Sequence, residues 1–114
     1  MRIELSKPVA LNALYGTNKW GSKYIKKEGR RWQEEALWAL KTHDLYNWTV
    51  PLRMEVELYT CRHQDNDSCL KILQDTLQLA GVYEDDYWIF ELNIKKFKVK
   101  KPEEKLVVEI DVIQ

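Results

Sequence analysis

Two acidic clusters are the groups in this sequence that could do chemistry. Asp65 and Asp67 are one residue apart, and Lys71 follows Asp67 by four positions, so both lie on one face of a helix. Residues 84–86 form a second run of three acids. Carboxylate oxygens with a nearby lysine suit Mg²⁺ or Mn²⁺, which commonly bind a phosphate group at the same time. The residue types therefore predict phosphoryl-transfer chemistry.

Both clusters also have a purely structural interpretation. A helix N-terminus stabilises negative charge, so Asp65 or Asp67 could be an N-cap that contributes about 1 kcal/mol. Lys71 would then form a surface ion pair with Asp67, worth about 0.3–0.5 kcal/mol. Runs of acids such as residues 84–86 are common in solvated turns. The local sequence leaves the structural and the catalytic interpretation open.

Other metal sites fit the sequence less well. A calcium-binding EF-hand loop that begins at Asp65 would have Leu70 at its sixth position, where glycine is required. Cys61, His63 and Cys69 lack the paired spacing of structural zinc motifs. We therefore expect two reduced thiols instead of a zinc site.

A predicted helix connects the two acidic clusters. An apolar stripe at helical spacing is formed by Leu70, Leu73, Leu77 and Ala80. Gly81 can end this helix in a left-handed conformation, which gives bounds of about 67–80 and a length of about 20 Å. Residues 84–86 can lie near Asp65 and Asp67 only if the first residues of the next strand fold back beside the start of the helix. The alternative is that a partner subunit supplies the third acid.

The remaining elements predict an α+β fold. Residues 2–5 favour a short strand and residues 28–43 a helix, and Gly16 and Gly21 bracket a predicted turn between extended segments that end near Ile25. Three further strands are indicated by alternating apolar residues within 52–59, 90–94 and 106–112. We expect one domain over residues 1–114, a mixed β-sheet flanked by two main helices and closed by a C-terminal β-hairpin.

The net charge of the whole chain hides an uneven distribution of charge along the sequence. The chain has 18 basic and 18 acidic residues, which argues against a partner held by bulk positive charge. Divided at residues 35 and 94, however, the net charges are +4, −6 and +2. The 45% hydrophobic content excludes disorder, and no apolar run is long enough for a membrane helix or a secretory signal. We expect a cytoplasmic protein without membrane contacts.

Basic residues concentrate in two segments that flank the acidic middle. The predicted phosphate-binding residues are Lys19, Lys23, Lys26, Lys27, Arg30, Arg31, Lys95, Lys96 and Lys98. Trp20, Tyr24 and Trp32 are interleaved with the first group, and aromatic rings of this kind can stack on exposed bases. The alternative is that the lysines protect a strand edge from pairing and that Trp32 belongs to the core.

The acidic segments resemble the signature of a known family. The run DNDSCLK, followed by LQLAGVYEDD, is similar to the core motif of the RusA family of Holliday junction resolvases. The matching residues are Asp65, Asp67, Lys71, Ala80, Gly81, Val82, Tyr83, Asp85 and Asp86. Two departures are Ser68, where the family usually has asparagine, and a proline pair after the first strand that is reduced to Pro8.

The resemblance implies a Mg²⁺-dependent homodimeric endonuclease of bacteria or their phages. Such an enzyme binds four-way DNA junctions and nicks two strands symmetrically during recombination, repair or phage DNA processing. By position, Asp65, Asp67 and Asp86 would bind the metal, with Asp85 as a further candidate, and Lys71 would assist catalysis. Two other functions remain open: a nuclease for other branched or single-stranded DNA, and a non-catalytic DNA-binding dimer.

Overall fold

A four-stranded mixed sheet is the framework of the molecule. The structure, a computed structural model, describes residues 1–8, 15–17, 19–21, 23–61 and 67–114. In chain order the elements are β1 (Arg2–Leu5), β2 (Tyr15–Thr17), β3 (Lys23–Ile25), α1 (Lys27–Leu40), β4 (Leu52–Thr60), α2 (Asp67–Ala80), β5 (Ile89–Lys98) and β6 (Lys105–Val112). Short 3-10 turns at Asp86–Trp88 and Lys101–Glu103 precede the last two strands. The predicted α+β class is confirmed.

The strand order in the sheet is β1-β6-β4-β5. Strand β6 is antiparallel to both of its neighbours, whereas β5 is parallel to β4. Parallel strands need a crossover connection, and α2 is the helix of that connection. Strands β2 and β3 form a separate antiparallel ribbon, where the sequence predicts a turn between extended segments.

The closing pair of strands is present, with a pairing that the sequence does not specify. Strands β5 and β6 are joined by a short connection and run in opposite directions, as in a hairpin. Strand β4 lies between them, so both strands pair with β4 and not with each other, while β6 also pairs with β1. The direct hydrogen bonds between two strands that an ordinary hairpin would have are therefore absent between β5 and β6.

The two helices cover one face of the sheet and form its core. Every second residue of β4 from Leu52 to Leu58 is buried, as the alternating pattern predicts. The same apolar cluster includes, from the helices, Trp32, Ala36, Leu40, Ile72, Leu73 and Leu77. Each fully buried Leu or Ile side chain among them contributes about 1.5–3 kcal/mol of hydrophobic stabilisation. Together they form a single compact domain with a radius of gyration of 14.1 Å.

The helix ends follow from local sequence. Gly81 has a φ of +88°, the Gly81 N–H donates to the Gln78 carbonyl at 3.1 Å, and the Val82 N–H donates to the Leu77 carbonyl at 3.0 Å. This is a Schellman motif, so α2 ends where the glycine predicts. Helix α1 ends at Leu40, three residues before the predicted limit of His43, since a turn begins there.

Candidate functional site

Because β4 and β5 are parallel, both strands begin at one end of the sheet and finish at the other. We call the end at which β4 and β5 finish, marked by Thr60 and Lys98, the carboxyl end. The opposite end, marked by Leu52 and Ile89, is the amino end. Helix α2 starts at the carboxyl end, because it follows β4, and finishes at the amino end, because β5 follows it.

The start of α2, which carries Asp67, belongs to the carboxyl end. Asp67 is the first residue of α2, at the positive end of the helix dipole. Lys71 is exposed and lies one helical turn after Asp67. Asp65 and His63 lie outside the described residues. Cys61 and Cys69 do not form a disulfide, and Cys69 is buried.

The second acidic cluster belongs to the amino end. Asp85 caps the 3-10 turn and its Oδ1 accepts a hydrogen bond from the Tyr87 N–H at 3.0 Å. This bond, together with a hydrogen bond from the Asp86 side chain, lowers the pKa of Asp85. The shared hydrogen bond with Asp85 and partial burial raise the pKa of Asp86, and the charge of Asp75 adds to this effect. The two exposed carboxyl groups therefore lie close enough to share a hydrogen bond, and a cation could neutralise their combined charge.

A buried tyrosine fixes the position of the acidic turn. The hydroxyl of Tyr83 donates to the Gln74 carbonyl of α2 at 2.8 Å, and burial raises its pKa. The turn is also tied to the segment after α1, because the Glu84 N–H donates to the Trp48 carbonyl at 3.1 Å. The residues directly before Asp85 and Asp86 are therefore held in place by hydrogen bonds.

Asp67 and Asp86, the described members of the two acidic clusters, do not converge within one chain. Asp67 is at the first position of α2 and Asp86 lies beyond its last turn, and a helix of 14 residues is about 20 Å long. Strand β5 does run back along α2, but Asp86 precedes that strand and stays at the amino end. Within the part of the chain that the structure describes, no three His, Cys, Asp or Glu side chains form a metal-binding group.

Glu104 is a site-supporting residue that sequence patterns do not reveal. Its carboxylate accepts hydrogen bonds from the Cys61 N–H at 2.9 Å and from the Thr60 hydroxyl at 3.3 Å, and it pairs with the Lys7 ammonium at 3.0 Å. These contacts, the Cys61 N–H first, lower the pKa of Glu104 to about 2. They fix the end of β4 at the point where the chain leaves toward Asp65.

Two lysines of β5 face the same side as the helices at the carboxyl end. Lys96 is in register with Leu58, and Lys98 is in register with Thr60, two residues on the buried side of β4. Lys95 is in register with Glu57 and therefore lies on the opposite face. The predicted basic cluster of β5 is thus divided between the two faces of the sheet.

Helix α1 brings a second basic group to the carboxyl end. The Trp32 Nε1 donates to the Ser6 carbonyl at 2.7 Å, and Ser6 follows β1, whose last residue pairs with the start of β6. The first turns of α1 therefore lie at the carboxyl end, and the exposed residues there include Lys27, Arg30 and Arg31. Lys26 is half-buried at the N-cap.

The aromatic residues of the N-terminal basic segment divide into two kinds. Trp20 is 77% exposed, with the Lys19 ammonium 4.4 Å from its ring centre, and Tyr24 is half exposed. Trp32 is buried, so it is a core residue and cannot stack on a base. Lys23 lies in β3.

Two comparisons with known proteins point to the same family. The family model described as Endodeoxyribonuclease RusA matches residues 7–111. A crossover junction endodeoxyribonuclease RusA from Aquifex aeolicus (strain VF5) is 29% identical over 118 residues, covering 100% of this chain and 93% of the relative. The chain belongs to the RusA family.

Membership of the RusA family makes this chain part of a nuclease family. The match includes every residue that the sequence predicts for the site, from Lys19 to Lys98. It also includes Lys7 and Glu104, which meet at the carboxyl end. None of the helices that the structure describes is long and apolar enough to cross a membrane.

Proposed function

We propose that this chain is a Mg²⁺-dependent endodeoxyribonuclease that resolves four-way DNA junctions by symmetric paired nicking. The observation that carries the proposal is the RusA match over residues 7–111, because it includes both acidic clusters and Lys71. The Aquifex aeolicus relative, whose name describes a crossover junction endodeoxyribonuclease, supports the same substrate class. We expect the enzyme to work in the cytoplasm, in recombination and repair or in phage DNA processing.

The donor set fits a hard divalent cation. Asp65, Asp67 and Asp86, with Asp85 as an additional donor, offer only carboxylate oxygens, which suit Mg²⁺ or Mn²⁺. The proximity of Asp85 and Asp86, which raises the pKa of Asp86, supports this choice, since a cation would stabilise two neighbouring carboxylates. When bound, the metal would polarise the scissile phosphate and lower the pKa of a bound water.

Lys71 has a separate role in the proposed site. It is exposed on α2 one turn after Asp67, within reach of a phosphate group held at the start of the helix. Its positive charge would offset the negative charge that develops on the phosphate oxygens during cleavage. The N-terminal N–H groups of α2 point toward the same place and favour an anion there.

A homodimer completes this site. The length of α2, about 20 Å, separates Asp67 from Asp86 in one chain and supports a site built from two chains. We therefore assign Asp65, Asp67 and Lys71 of one subunit and the partner subunit's Asp86 to each site. Two such sites related by symmetry also account for two symmetric nicks in a four-way junction.

The distribution of charge favours DNA binding at the carboxyl end. Lys96, Lys98 and the first turns of α1 supply positive charge there. The helix-free face of the sheet is less suitable, because Glu55 lies directly opposite Glu109 on that face. Phosphate groups would therefore contact the helix side and the carboxyl end of each subunit.

Incubation with defined DNA substrates tests the proposal. Purified protein is mixed with a synthetic four-way junction, a linear duplex or a single strand, in the presence of Mg²⁺ or of a chelator. We expect paired nicks in the junction with Mg²⁺ alone. If Mg²⁺ produces no cutting of the junction, the proposal is wrong. Preferred cutting of the single strand or other branched DNA would support the broader nuclease, and binding without cutting would support the non-catalytic dimer.

A further inference from the structure

Two aromatic rings are exposed beside the second acidic cluster. Tyr87 directly follows Asp86 and is 70% exposed, and Phe90 is 57% exposed. The two residues between them, Trp88 and Ile89, pack against the core and anchor the segment. A contiguous exposed apolar surface usually marks a binding site, and the basic segments predicted to bind DNA do not include these rings. The pair therefore needs an explanation of its own.

The rings of this segment hold one another in place. The Tyr87 ring packs edge to face on Trp88, with ring centres 5.3 Å apart and an angle of 79° between the planes. It packs on Phe90 in the same way, at 6.1 Å and 87°. Both are favourable aromatic geometries. The Tyr87 backbone is also fixed, because its N–H donates to the Asp85 Oδ1 at 3.0 Å. The exposed ring surface is therefore already ordered before any partner binds.

The charge around the rings indicates which kind of partner they suit. Residues 84–86 place three acidic side chains directly before Tyr87. These charges repel DNA phosphates that arrive without a cation, so the rings are poorly suited to bind the sugar-phosphate backbone of a duplex. The face of a nucleobase carries no net charge, and every base offers such a face to an aromatic ring. The rings therefore suit bases better than phosphates.

The position of the rings relative to Asp86 favours the same partner. If Asp86 binds a metal that holds the scissile phosphate, the nucleotides joined to that phosphate lie beside the next residue of the chain, Tyr87. In a linear duplex, neighbouring base pairs cover both faces of each base. At the crossover of a four-way junction the stack is interrupted, so unstacking a base there costs less free energy than inside a duplex. Rings next to Asp86 would therefore meet free base faces in a junction and not in a linear duplex.

We propose that Tyr87 and Phe90 form a base-stacking surface for unstacked bases at the crossover of a four-way DNA junction. This inference rests on the proposed function, because the contacted bases belong to the DNA that Asp86 helps to cut. The surface recognises DNA shape, which the basic residues do not, since lysine and arginine bind the phosphates of any DNA. Stacking holds the crossover beside the carboxylates and places branched DNA for cleavage.

Photocrosslinking tests the contact directly. A four-way junction that carries iodouracil at the bases next to the crossover is illuminated with the protein and Ca²⁺, because this base analogue crosslinks to aromatic side chains that stack on it. We expect crosslinks at Tyr87 or Phe90, located by mass spectrometry of the digested protein. Iodouracil in the middle of a junction arm is the control, and we expect no crosslink to either residue from that position.

Substitutions measure what the rings contribute to binding. The double change Tyr87→Leu and Phe90→Leu keeps apolar side chains and removes both aromatic faces. We expect it to weaken binding to the four-way junction by about 5-fold to 100-fold and to leave binding to a linear duplex unchanged. Tyr87→Phe keeps the ring and should bind the junction as the wild type does. Trp38→Leu is the matched control, because Trp38 is an exposed ring on α1.

Light scattering and a cleavage assay on the same samples separate the possible outcomes. A double variant that binds and cuts the junction as the wild type does would overturn the base-stacking surface and leave the nuclease proposal intact. An equal loss in Trp38→Leu, or a change of oligomeric state in the double variant, would also overturn it, the latter because the rings would then contact a second copy of the chain. Crosslinks at Tyr87 in a protein that never cuts junctions would support the surface and contradict the proposed function.

Discussion

The carboxylate of Glu104 accepts a hydrogen bond from the backbone N–H of Cys61 at 2.9 Å. The connection before β6 thereby fixes the end of β4, from which the chain continues toward Asp65. The Lys7 ammonium, 3.0 Å from the same carboxylate, adds the segment after β1 to this junction. Three parts of the chain that are distant in sequence are thus held together at the carboxyl end by one negative charge.

Replacement of Glu104 by glutamine should destabilise the protein at neutral pH. Hydrogen bonds to a charged group are stronger than neutral ones, so we expect a loss of about 1–2 kcal/mol in the free energy of unfolding. The carboxylate has a pKa of about 2 in the folded state against 4.5 ordinarily. Its stabilisation is therefore complete above about pH 4.5 and is lost as the pH falls toward 2.

Urea denaturation at several pH values measures this effect. The difference between wild type and Glu104→Gln should be largest at pH 7 and should decrease steadily below pH 4.5. Glu103→Gln serves as the control, because the neighbouring carboxylate is exposed. Equal stability of the two variants at pH 7 would contradict the role given to Glu104.

Asp67→Asn should abolish cleavage and leave junction binding intact. The amide keeps the size of the side chain and removes the charge that a Mg²⁺ ligand needs, so we expect cleavage to fall by at least about 100-fold. The measurement is single-turnover nicking of a four-way junction, with binding followed by gel shift. Asp44→Asn, which changes an exposed carboxylate outside both acidic clusters, is the control. An unchanged nicking rate in Asp67→Asn would remove this residue from the site.

Local sequence patterns predict the elements well because their causes are local. The apolar stripe and Gly81 set the bounds of α2, and the alternation in β4 identifies its buried face. The position of Asp86 relative to Asp67 depends instead on contacts that hold the turn after α2, such as the hydrogen bond from the Glu84 N–H to the Trp48 carbonyl, which no local pattern specifies. The contact between Glu104 and Cys61 spans 43 positions and leaves no periodic signal. Long-range pairing therefore decides the part of the site that the sequence leaves open.

Mixed dimers should recover activity if each site uses both subunits. Asp67→Asn and Asp86→Asn are each inactive as pure proteins on this view. When the two are mixed, unfolded and refolded together, the mixed dimer has one site with both changes and one site with neither. We expect single nicks in the junction, at up to about a quarter of wild-type activity, if chains pair at random as symmetric interfaces allow. No recovery in a verified mixed dimer would place each complete site within one chain.

Exposed basic residues at the start of α1 should contribute to the salt dependence of junction binding. Each lysine or arginine that contacts a phosphate adds about 0.9 to the slope of log affinity against log salt. The double change Lys27→Ala and Arg30→Ala should therefore reduce the slope by about 2 and weaken binding to every DNA shape alike. Lys41→Ala is the control, because Lys41 follows the last residue of the same helix, at the amino end, with its ammonium 4.0 Å from the Trp38 ring centre. Titrations by fluorescence anisotropy between low and moderate salt give the slopes, and a double variant with the slope of the wild type would show that the start of α1 does not contact DNA.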